Sequence, residues 1–176
     1  MSTDGDAALA RLLHSLVRDL LGWLSEHPDD RVDAKAVVSI RRSIDWVIER
    51  LPAEQRHRLA TGDPDPASLE TVTGLLVDLV WWLDTCDDDE VDPDVAVKLL
   101  ESGLADVDAL SDGQRQRLLE VLDQLAKSEQ HDGRRYKLRC FPFEMGLVDD
   151  EPDDEEPPVH EWVPPEARAT GSAPAG

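Results

Sequence analysis

The densest run of potentially reactive side chains is "DDDEVDPD", residues 87–94, where Asp87, Asp88, Asp89, Glu90, Asp92 and Asp94 crowd their carboxylates into one short stretch. Oxygen-rich loops of this kind can ligate hard cations such as calcium. The run lacks the glycine at its sixth position and the spaced ladder of acids that an EF-hand loop requires, and helix capping explains it better. His14, His27, His57, His131 and His160 are scattered, none at ligand spacing from another histidine or from Cys86 or Cys140. The two cysteines form no CxxC pair, which points to a reduced, cytoplasmic setting. A GxSxG nucleophile signature and glycine-rich phosphate loops are absent as well. The residue types therefore point away from an enzyme and imply no metal or cofactor.

What remains is charge. The chain carries 39 acidic and 18 basic residues for a formal net charge of −21. Phosphate binding needs a neutralising basic face, so direct nucleic-acid binding is not expected. The one basic cluster, "RRYKLRC" at 134–140, lies beside the strongest acidic run and is expected to pair with it as an internal clamp. A basic protein is the natural partner for the rest of the surface. The candidate contact residues are Asp87, Asp88, Asp89 and Glu90 in the acidic connector, with Trp81 and Trp162 as aromatic anchors. Trp81 and Trp82 are neighbours about 100° apart on a helix, so both cannot face the same core; Trp82 matches Trp23 and is structural, and Trp81 is expected to meet the other half of the bundle in preference to being an exposed anchor.

The elements that would hold these residues follow from an internal repeat. Shifted by 59 positions, residues 6–59 align without a gap onto 65–118. "DLLGWLSEHPDDRVD" at 19–33 falls on "DLVWWLDTCDDDEVD" at 78–92, and "LPAEQRHRL" at 51–59 on "LSDGQRQRL" at 110–118. Each copy reads as three helices. Leu9, Leu12, Leu13, Leu16, Val17, Leu20, Trp23 and Leu24 form one apolar stripe, and Val72 to Leu83 forms a helix apolar almost all round. Asp33 and Asp92 are natural N-caps, with Pro93 at a first helical position. The second helices carry Val37, Ile40, Ile44, Val47, Ile48 and Leu51 in one copy, and Val97, Leu100, Leu104, Val107 and Leu110 in the other. The third helices follow, the later one opened by Ser111 and Gln114 as a capping box.

The expected fold is an all-α bundle of about six helices in two tandem three-helix repeats, 6–62 and 65–127. A segment at 128–148, with Tyr136, Leu138, Phe141, Phe143, Met145 and Leu147, is expected to dock across this bundle and complete a domain spanning 1–148. From 149 to 176 the chain is acidic and proline-rich, a composition that predicts a disordered tail. Within it Trp162 could anchor on a partner or fold back. No stretch is long and apolar enough for a membrane span, and the N-terminus lacks the basic region of a signal peptide. These features predict a non-enzymatic acidic protein-binding module of a bacterial cytoplasm, of the kind that neutralises or regulates a basic protein, as an immunity protein or antitoxin does. The alternative is a scaffold or adaptor that docks on a larger assembly through its tail.

Overall fold

A computed structural model describes residues 3–26, 31–153 and 161–170. Among them the secondary structure is helical: α1 (Thr3–Glu26), α2 (Ala34–Glu49), α3 (Ala53–Thr61), α4 (Leu69–Thr85), α5 (Pro93–Asp108), α6 (Asp112–Ser128), α7 (Asp132–Glu144) and α8 (Pro165–Ala169), with a 3₁₀ turn at Pro66–Ser68. None of these helices is long and apolar enough to cross a membrane.

Helix α4 is the hub. Its buried residues run from Val72 without interruption to Leu83, and it packs against α1, α2, α5, α6 and α7. A helix apolar on all sides needs neighbours on all sides. Helix α1 supplies the broadest of them with Leu9, Leu13, Leu16, Leu20 and Leu24, while Leu118, Val121 and Leu122 of α6 close another.

Local chemistry sets the helix ends. Asp33 and Asp92 lie in non-helical conformation and accept the backbone N–H of Lys35 and Asp94, satisfying a free amide of the first turn. Ser111 and Gln114 form the reciprocal capping box. Gly62 ends α3 at φ 74°, a left-handed conformation that costs glycine little, and lets Asp63 N–H return to the Arg58 carbonyl.

The connectors before α2 and α5 meet. Val32 and Val91 make an isolated antiparallel bridge, Asp33 N–H donates to the Glu90 carbonyl at 2.7 Å, and Asp92 N–H donates to the Arg31 carbonyl at 2.7 Å. Both valines are buried, so these bonds are shielded from water.

Three expectations need correction. On α5 the buried stripe is Val95, Leu99, Gly103 and Val107, whereas Val97 is 53% exposed. Two helical faces compete there, and glycine contributes nothing to a hydrophobicity pattern although its lack of a side chain lets Leu16 and Met145 approach. The count of about six helices omits α7 and α8. Helix α7 packs on α6 and α4 with Leu138 and Phe141 buried, while Phe143 stays exposed. The tail expected to be disordered contains α8, which packs on α2 with Pro165 buried while Arg168 reaches Asp78 of α4, partners that composition does not reveal. Residues 154–160 and 171–176 of that tail lie outside the described residues.

Candidate functional site

Two places combine apolar surface with organised charge. The first is a cleft of about 300 Å³ between α4, α5 and α7. Val80, Leu100, Met145 and the exposed Val97 give it an apolar lining; Asp84, Glu101 and Glu144 supply carboxylates at its lip. At its base Lys137, almost wholly buried, donates to Asp84 Oδ2 at 3.0 Å and pairs with Glu144 Oε2 at 2.7 Å. Three carboxylates against one ammonium leave this cleft net negative. Its size suits one apolar side chain, and its rim suits cations flanking that side chain.

Two members of the basic cluster at 134–140, Arg134 and Lys137, are neutralised internally by partners other than those the sequence suggests. Arg134 and Lys137 pair with Asp78 and Asp84 of α4, with Glu129 and with Glu144.

The second place is a buried charge cluster where α4, α7 and α8 meet. Arg134 donates to Asp78 Oδ1 at 3.1 Å and to Glu129 Oε2 at 2.6 Å. Arg168 reaches the same Asp78 Oδ1 at 3.0 Å from the C-terminal segment. Burial works against the charge of Arg134, but Asp78 and Glu129 outweigh it, so its guanidinium holds its proton more tightly than usual. For Arg168 burial prevails, aided by repulsion from Arg134, and the hold is weakened. Burial alone would raise the Glu129 carboxyl; the His131 N–H bond and Arg134 overcome it and keep the group below its usual range. His131 caps α7 by accepting the Arg134 N–H on Nδ1 at 3.2 Å, and burial with the nearby Arg168 charge lowers its pKa. Beside this cluster runs an open cleft of about 360 Å³, walled in part by Val47, Leu75, Leu125 and Pro165.

The six candidate contact residues are scattered between these features. Trp81 is 3% exposed, with the Arg168 guanidinium 6.0 Å from its ring centroid and the His131 ring at 6.3 Å, which leaves it no face for a partner in this conformation. Asp87, Asp88 and Asp89 are exposed in a turn closed by Glu90 N–H donating to the Asp87 carbonyl, and the half-buried Glu90 accepts the Asp87 N–H. None of the four lines the first cleft, whose α4 carboxylate is Asp84. Trp162 lies against the core, its backbone N–H donating to Thr85 Oγ1 at 3.2 Å. Sequence reasoning missed Val97, Glu101, Glu144 and Lys137, whose association depends on how α5 and α7 pack. For Arg168 a signal existed, as the lone arginine in an acidic tail.

Cys86 is a poor nucleophile, since burial and the nearby Glu90 charge push its thiol up to about 11. Among the described residues no group of His, Cys, Asp and Glu is arranged to hold a metal ion. His27 and His160 lie outside the described residues. No protein-family model matches the chain, and neither a curated protein nor a solved structure matches it significantly.

Proposed function

We propose that the chain is a non-catalytic, acidic protein-binding module that engages a basic protein, as an immunity protein or antitoxin-like neutraliser does. The observation that carries this reading is the cleft with an apolar lining of Val80, Leu100 and Met145 beneath the carboxylates of Asp84, Glu101 and Glu144. Acidic rims steer a cationic partner and select against an anionic one, and the apolar lining gives short-range affinity once the partner arrives. The tail-docking adaptor reading has less support, because Trp162 is engaged by the chain's own α4.

We also infer that the chain arose from a duplicated three-helix unit. Supporting this, α2 and α5 begin and end 59 positions apart, α3 and α6 begin 59 apart, and the bridge pairs Val32 with its counterpart Val91, its two flanking bonds being equivalents of each other at the same offset.

The test is fluorescence anisotropy with a labelled amphipathic peptide of leucine and lysine, because a highly acidic chain attracts any polycation and only localisation is informative. Glu101→Lys with Glu144→Lys is expected to weaken binding at least tenfold more than the same charge change at Asp45 and Glu49 on α2. Equal losses from the two pairs would reduce the effect to net charge and refute the assignment to this cleft.

A further inference from the structure

Residues 161–170, "EWVPPEARAT", occupy the groove between α2 and α4 much as a ligand occupies a site. Three polar contacts hold them: Trp162 N–H to Thr85 Oγ1 at 3.2 Å, Ser43 Oγ to Glu166 Oε1 at 3.1 Å, and Arg168 to Asp78 at 3.0 Å. The groove is electrostatically incomplete without them. Asp78 and Glu129 then share only Arg134, two carboxylates against one guanidinium, and Arg168 restores neutrality. A buried acidic socket of this kind selects a guanidinium, whose planar fork matches a carboxylate.

The fit of the native segment is imperfect. Trp162 Nε1, Glu166 Oε2 and Arg168 Nη1 are buried without a hydrogen-bond partner, and all three belong to this segment. Buried polar groups are normally paired. A peptide that met the same socket with fewer orphaned atoms would bind in its place.

We propose that this groove is a recognition site for a short peptide carrying an aromatic residue and, six positions later on a helical turn, an arginine, and that the chain's own C-terminal segment is a tethered occupant which a partner's peptide displaces. The site is distinct from the acidic cleft between α4, α5 and α7 and stands whether or not that cleft binds a partner. Tethering raises the effective concentration of the native segment to about millimolar, so a free peptide must compete against it.

The probe is the fluorescein-labelled peptide EWVPPEARAT, titrated by anisotropy into the full-length chain. The Arg168→Gln chain is expected to bind it at least tenfold more tightly than wild type, because the internal competitor has lost its anchor. The same peptide carrying Arg168→Gln, or the Asp78→Asn, Arg168→Gln double variant, should lose at least tenfold. Trp162→Ala provides a second chain with a weakened internal segment and an intact socket, and circular dichroism checks that each variant is folded. Failure of the peptide to bind both folded single variants, or equal binding to wild type and Arg168→Gln, would overturn the proposal. So would light scattering that shows a wild-type dimer dissociated by Arg168→Gln, since the segment would then belong to a second copy's groove.

Discussion

Asp78 and Asp19 lie 59 positions apart in matching sequence strings and in opposite environments, which makes them a matched pair for measuring the buried cluster. The Asp78 carboxylate is 5% exposed between Arg134 and Arg168. Asp19 is exposed, with a 3.4 Å hydrogen bond from Ser15. Asp78→Asn keeps the shape and removes the charge, leaving Arg134 held by Glu129 and Arg168 with only the more distant Glu129 charge. Removing one partner from a buried pair costs about 3–5 kcal/mol. Arg168 can escape part of that cost by leaving with its short segment, so the expected loss lies near the lower end, about 3 kcal/mol. With a urea slope of about 2 kcal/mol/M, the unfolding midpoint should fall by about 1.5 M with little change in slope. Asp19→Asn should stay within about 0.5 kcal/mol of wild type. Arg168→Gln should cost less than Asp78→Asn, about 1.5 kcal/mol, because Arg134 still pairs Asp78. The assay is urea unfolding followed by tryptophan fluorescence and circular dichroism. Midpoints for Asp78→Asn and Asp19→Asn within about 0.3 M of each other, at a slope of that size, would refute the claim that this cluster is energetically distinct from a surface acid.

Two further outcomes follow from the same contacts. His131 and His14 both have pKa values below the usual 6.5, chiefly through burial, aided by Arg168 for His131 and by Arg18 for His14. The unfolded chain therefore binds more protons below pH 6.5, and stability should be complete above that value and decline as pH falls from it; His131→Asn retains a capping acceptor and should flatten the decline between pH 6.5 and 5, and an unchanged slope would contradict the assignment. Cys86, raised from 9.0 to about 11, should react with iodoacetamide about 100-fold more slowly than a free thiol at pH 8, and mass-resolved alkylation showing ordinary rates would mean that the thiol is neither buried nor facing Glu90.

The candidate cleft was barely legible in the sequence. Its acids are ordinary surface residues when read along the chain, and Val97 is one apolar residue on a helix with two plausible faces. Only the docking of α7 brings Lys137 and Glu144 to Asp84, and only the choice of the Val95, Leu99 and Val107 face for burial turns Val97 outward. The acidic connector, in contrast, announced itself by composition, yet its structural role in pairing Val32 with Val91 was hidden.

By itself the sequence determined the features whose causes are local: where helices start at Asp33, Asp92 and Ser111, that Val72 to Leu83 must lie inside, and that helices would supply most of the core. Capping and amphipathic spacing act over a few residues and can be read directly. Tertiary structure alone decided that Asp78 meets Arg168, ninety positions away, that α8 closes over α2, and which side of α5 is buried. Those outcomes depend on the geometry with which distant surfaces meet, and on a charge becoming strong only after packing has removed it from water.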